Sequence, residues 1–136
     1  MEFWIGILLV ALTVAAILFY QNHTEKKKLA ILSQNNLSLS LQELATYDGE
    51  KKPRTFVAIK GDIFDVSSSP FYNKGGSYAV FAGKEASVSL AKGDLEGKHL
   101  NKLDWNTLEA EELEALEEWH SKFSQKYRIV GKIRTN

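Results

Sequence analysis

Two tyrosines six residues apart, Tyr72 and Tyr78, flank a pair of glycines in the run FYNKGGSYAVFAGKEAS, which covers residues 71–87. A phenol that loses its proton is a strong oxygen donor for ferric iron, and tyrosinate is one of the axial ligands that haem accepts. Gly75 and Gly76 carry no Cβ, so the backbone there can approach a flat object closely. Val80, Phe81 and Ala82 are then available as an apolar wall beside it. The same residues admit a plainer account, in which the rings pack and the glycines only turn the chain. Residue type and spacing alone leave both accounts open.

Other chemistry is scarce. The three histidines, His23, His99 and His120, are too few and too scattered for a metal cage. His120 adjoins an apolar helical stripe and reads as a half-buried packing residue, whereas His99 sits in a polar stretch and reads as exposed. There is no cysteine, which removes disulfides, thiolate metal sites, iron–sulfur clusters and thiol nucleophiles. HExxH, P-loop and Rossmann glycine spacings are missing, and no serine has the local signature of a base and an orienting acid. Lysine plus arginine balance aspartate plus glutamate at 17 each, so the basic excess of a nucleic-acid binder is not present. These exclusions point to a binding protein rather than an enzyme.

The elements that must position the tyrosines form one domain behind an appendage, as 136 residues allow. Phe3–Tyr20 is an uncharged apolar run of 18 residues, roughly 27 Å long as a helix, close to the thickness of a bilayer core. Trp4 and Tyr20 stand at its ends, where amphipathic rings favour the interface. A cleaved signal peptide would want positive charge before the run and small residues after it. Here Glu2 precedes it and Phe19, Tyr20 and Gln21 close it. Residues 1–20 therefore read as a transmembrane anchor and 21–36 as a polar tether, interrupted by Leu29–Leu32. Residues 37–136 read as the folded domain. Lys26, Lys27 and Lys28 follow the run and no Lys or Arg precedes it, which places the domain on the cytoplasmic side. The sequons at Asn22 and Asn36 are then chance occurrences.

Within the domain, Leu37–Leu41 suggests a short strand. Ser40 and Glu43 have capping-box spacing, predicting a helix through Leu44 to about Tyr47. Thr55–Lys60 and Asp62–Val66 form a strand pair around Gly61. Phe71–Ser77 is a loop, and Tyr78–Ala91 has helical spacing broken at Gly83. Lys92–Trp105 is a polar, weakly structured insert. Thr107–Gln125 is the strongest helix, with Leu113, Leu116, Trp119 and Phe123 as its apolar stripe and glutamates on its solvated faces. Tyr127–Ile133 is rich in β-formers and returns to the sheet. Short helices among short strands make an α+β domain.

The run at 71–87 resembles FYGPGGPYAVFAGRDAS, the pattern of the membrane-associated progesterone receptor (MAPR) family, a branch of the cytochrome-b5-like fold. LQELATYDG resembles that family's first helix, VAIKGDIFDVSSS its strand pair, and LEEWHSKFSQKYRIVGKI its closing helix and strand. The likeness covers about residues 38–133, and a single N-terminal span is common in the family. It implies a cytochrome-b5-like haem-binding domain that holds haem b through one axial tyrosinate. By position the ligand is Tyr78, while Tyr72, Lys126 and Tyr127 would bond the haem edge or its propionates. Asn73-Lys74 stands for the family's Gly-Pro, Ser77 for Pro, Lys84-Glu85 for Arg-Asp and Val88 for Arg, so a more flexible loop is expected.

The resemblance further implies a non-enzymatic protein at a membrane surface, in the endoplasmic reticulum or a bacterial inner membrane. Its tasks would be support of cytochrome P450 or other sterol-metabolising enzymes, or handling of haem, steroids and other small apolar ligands. A homodimer through the open haem face would be a further possibility of the family. The rival readings are an electron carrier in which His99 supplies a second iron ligand, and an interaction adaptor without haem.

Overall fold

A computed structural model describes residues 2–34 and 36–135, with the backbone alone for 28–34. It divides into two compact units, Met1–Gln34 and Asn35–Asn136. The first is one helix, α1 (Glu2–Gln34). Residues Glu2–Lys27 make it long and apolar enough to cross a membrane, and its side chains over 2–27 are exposed. It is apolar on every face over the span, as lipid around a helix requires. The helix runs on through the stretch expected to be a polar tether. A helix that closes its own backbone hydrogen bonds need not end where the apolar residues do. The side chains of Lys28 and of the Leu29–Leu32 interruption lie outside the described residues.

The second unit is built on a five-stranded sheet in the order β1-β5-β3-β2-β4. The strands are β1 (Leu37–Leu39), β2 (Phe56–Ile59), β3 (Asp62–Asp65), β4 (Lys84–Glu85) and β5 (Arg128–Ile133). β1 pairs parallel with β5 and β4 parallel with β2, while β2–β3 and β3–β5 are antiparallel. The β2–β3 turn is Lys60-Gly61, both with positive φ (53° and 78°), the two-residue geometry whose twist matches that of the strands it joins. The helices are α2 (Leu41–Leu44), α3 (Ser87–Ala91) and α4 (Ala110–Lys126).

The sheet is covered on both faces. Val57, Ile59 and Phe64 join Leu90, Leu116 and Phe123 in the larger core, and Phe56, Ala58 and Ile63 join Leu39, Leu44 and Val130 in the smaller. Successive β2 residues alternate between the two cores, which is why FVAI is buried throughout instead of alternating with polar residues. Each large side chain removed from water in this way is worth about 1.5–3 kcal/mol.

Three local expectations change. The first short helix starts at the expected cap, where the Ser40 side chain accepts the Glu43 N–H at 3.1 Å, but ends at Leu44 instead of about Tyr47, because the Thr46 and Tyr47 N–H groups turn to the carbonyls of Glu43 and Leu44, three residues back. The Tyr78–Ala91 stretch is a 3-10 turn (Ala79–Phe81), then β4, then α3. The expected insert is organised by one carboxylate: Asp94 accepts the N–H groups of Glu96, Lys98 and His99 and the Ser89 hydroxyl. Tertiary pairing with β2, which no local pattern encodes, makes the strand.

Candidate functional site

A cleft of about 630 Å³ opens between the 71–78 loop and the C-terminal half of α4. The loop is held by its own backbone. The Tyr78 N–H donates to the Phe71 carbonyl and the Gly76 N–H to the Asn73 carbonyl, both at 2.8 Å. A Cβ at Gly76 would lie 2.4 Å from the carbonyl oxygens of Phe71 and Pro70. Glycine is needed there for close approach of the chain to itself, not only to a ligand. Asn73, one of the residues expected to make the loop more flexible, has its side-chain carbonyl tied to the hydroxyl of buried Thr55, which donates to it at 3.2 Å.

Aromatic rings make the walls. Tyr72, 7% exposed, belongs to the larger core and forms the floor. Its ring lies 6.0 Å from Tyr78, 6.3 Å from Tyr127 and 6.0 Å from Phe123. Phe71 stands 5.9 Å from Tyr78 at the lip. α4 presents Trp119 and Phe123 one turn apart, and Tyr127 follows as the helix gives way to β5. Lys122, Gln125 and Lys126 add the polar groups of the rim. The Lys122 and Lys126 ammonium groups sit 5.4 Å and 5.5 Å from the Trp119 and Tyr127 rings.

Burial pushes the Tyr72 phenol well above its usual range, with Tyr127 and then Tyr78 adding to the effect. Tyr72 therefore stays a neutral donor. Among the described residues, none of the phenol oxygens of Tyr72, Tyr78 and Tyr127 has a hydrogen-bond partner or is sealed from solvent. Three tyrosines thus share one largely apolar cleft with Lys122 and Lys126, a polar-in-apolar lining suited to orienting a small ligand.

All four residues singled out from the sequence, Tyr72, Tyr78, Lys126 and Tyr127, line this cleft. The expected wall does not. Phe81 is buried in the core, while Val80 and Ala82 line a separate, more polar cleft with Lys74 and Lys84. α4 supplies the wall instead. Trp119 and Phe123 had shown only the spacing of core residues, which does not distinguish a core from a cleft wall. His99 lines a different cleft with Val88 and Lys92, its Nδ1 3.2 Å from the Lys102 ammonium. It is not brought to Tyr78. His120 packs edge-on against Phe64 and pairs with Asp62 at 2.8 Å, as its place beside the stripe suggested. Among the described residues no cluster of three or more His, Asp or Glu is placed to hold a metal ion.

A model of the cytochrome b5-like haem/steroid binding domain matches residues 40–133. The chain is 52% identical over 96 residues to membrane steroid-binding protein 2 of Arabidopsis thaliana, covering 68% of this chain and 40% of that protein. It is 39% identical over 97 residues to human membrane-associated progesterone receptor component 2, covering 69% of this chain and 44% of that protein. The chain thus spans about two fifths of the length of these curated relatives. A solved structure of an Arabidopsis thaliana protein with a cytochrome b5-like fold superimposes with a TM-score of 0.67 at 32% identity, over 74% of this chain and 94% of that one.

Proposed function

Because the chain belongs to the cytochrome b5-like haem/steroid-binding family, with membrane-associated progesterone receptor components among its relatives, we propose that it is a membrane-anchored haem-binding protein. Tyr78 is the iron ligand, as the phenolate. The observation that carries this reading is the convergence on one aromatic cleft of Lys126 and three tyrosines, Tyr72, Tyr78 and Tyr127, whose phenol oxygens have no hydrogen-bond partner among the described residues. The cleft's 630 Å³ lies within the range of cofactor pockets. Bound haem b would supply a ferric centre, and a phenolate donor favours the ferric over the ferrous state.

The chain's own residues divide the remaining work. The Tyr72 phenol, kept neutral by burial, donates a hydrogen bond from the floor. Tyr127 offers a second hydroxyl, and Lys126 a point charge for a carboxylate. Phe71, Trp119 and Phe123 exclude water from the ring faces. The role is one of binding, in support of cytochrome P450-type or sterol-metabolising enzymes or in haem handling, with the domain held on the cytoplasmic face by α1 and Lys26–Lys28. A neutral steroid is the second ligand class, favoured by the aromatic lining and by the steroid-binding names of the relatives.

The test is an absorption titration of the purified full chain in detergent with haemin, before and after dithionite. The expected result is a high-spin ferric spectrum with phenolate charge-transfer absorption and resistance to reduction. Sharp low-spin bands would replace the single tyrosinate with two axial ligands. No Soret band above free haemin would end the haem reading.

A further inference from the structure

We propose that a second cleft, beside the aromatic one, is an anion-binding shelf that receives the acidic substituent of the ligand, with Arg128 as the residue that recognises it. The inference rests on the ligand-binding reading of the aromatic cleft. The shelf, about 270 Å³, shares Lys126 and Tyr127 with that cleft and is otherwise walled by Arg54, Arg128, Asp65 and Ser67–Ser68. Three cations therefore face one carboxylate.

That carboxylate is already engaged. Asp65 Oδ2 accepts from the Arg54 guanidinium at 3.0 Å, and Oδ1 accepts both the N–H and the hydroxyl of Ser67. Arg54 and Asp65 thus neutralise each other, and Lys126 and Arg128 remain as uncompensated positive charge. Neither has an ion pair among the described residues, and both are exposed. Their placement follows from the chain. Lys126 is the last residue of α4, Tyr127 is extended (φ −125°, ψ 157°) and Arg128 opens β5. Lys126 and Tyr127 thereby line both clefts, and Arg128 lines the shelf and not the aromatic cleft.

A cleft whose cations outnumber its one carboxylate keeps a net positive field that favours an anion, and a guanidinium fork matches a carboxylate or sulfate in two parallel hydrogen bonds. The preferred ligand is therefore a flat apolar body bearing an acidic arm. A neutral body of the same shape fills only the aromatic cleft.

The experiment titrates the full chain in detergent with two pairs of probes. One is haemin and its dimethyl ester, read by absorbance. The other is a steroid sulfate and the matching neutral steroid, read by quenching of Trp119 fluorescence against a Trp119→Phe background. In each pair the acidic member should bind more tightly, and the preference should shrink as salt is raised. Arg128→Gln should weaken the acidic member about three- to tenfold and leave the neutral one unchanged, with Arg128→Lys in between. Equal weakening of both members, or no change in either, overturns the shelf. If the porphyrins do not bind but the steroid pair shows the Arg128-dependent preference, the haem reading fails and the shelf stands. If the porphyrins bind with no such preference, the shelf fails and the haem reading stands. If no probe binds, both fall.

Discussion

Replacing Tyr78 by phenylalanine keeps the ring among Phe71, Tyr72 and Phe81 and removes the one oxygen assigned to iron. Haemin affinity should fall by orders of magnitude and the charge-transfer absorption should vanish. Tyr72→Phe removes a single neutral hydrogen bond worth about 0.5–1.5 kcal/mol, so it should weaken binding about 2- to 15-fold with the spectrum unchanged. A Tyr78→Phe protein with the wild-type spectrum would refute the assignment. Glu85 makes a different demand on the fold. It is fully buried, and its two oxygens accept the Ser87 and Gly61 N–H groups at 2.7 Å and 3.0 Å. Burial outweighs those bonds and pushes the carboxyl up to about 7. Below about pH 4.5 it is protonated folded or unfolded. Between there and pH 7 the unfolded chain releases the proton while the folded one keeps it, so stability falls as pH rises, by roughly 3 kcal/mol in all. Urea melts at pH 5 and pH 8 should show this loss in the wild type and not in Glu85→Gln. An equal pH dependence in both proteins would contradict it.

At the scale of elements, α4 serves both the core and the cleft, on different turns. Leu116 is 1% exposed and packs under the sheet away from the cleft, whereas Trp119 is half-buried and lines it. Leu116→Ala should therefore cost about 2–5 kcal/mol of stability and leave haemin affinity nearly intact below the melting transition. Trp119→Ala should do the reverse, with a small stability change and a clear loss of affinity. Paired melts and titrations separate the two, and an affinity loss in Leu116→Ala matching that of Trp119→Ala would mean that the helix moves as one body. The helix itself was legible in the sequence from its stripe and its glutamate-rich first turn. It begins at Ala110 rather than Thr107 because the Glu112 carboxylate accepts the Glu109 N–H there at 3.2 Å, with Glu109 extended as the N-cap.

For the whole molecule, the division at Gln34 and Asn35 predicts that residues 35–136 expressed alone are soluble and take up haemin with the affinity of the full chain in detergent. Both cores and every cleft residue lie within them. Analytical ultracentrifugation and the same absorbance titration check this. Aggregation, or affinity recovered only with α1 attached, would show that the helix is part of the binding unit and not its anchor.

The sequence by itself determined what depends on neighbours along the chain. These are the apolar run of α1, the Lys60-Gly61 hairpin, the Ser40 cap, the stripe of α4 and the residue types that make phenolate chemistry available. The resemblance to a known family added which tyrosine should bind iron. Tertiary structure alone decided what depends on residues far apart meeting. It turned Lys84–Glu85 into an edge strand by pairing it with β2, sealed Glu85 behind that edge, and tied Asn73 to Thr55. It also made α4, not residues 80–82, the wall facing Tyr78, and left His99 on another cleft. Periodicity records which face of a helix is apolar, but whether that face meets a packed core or an open cleft depends on the shape of what lies opposite, and that is set only when the chain closes.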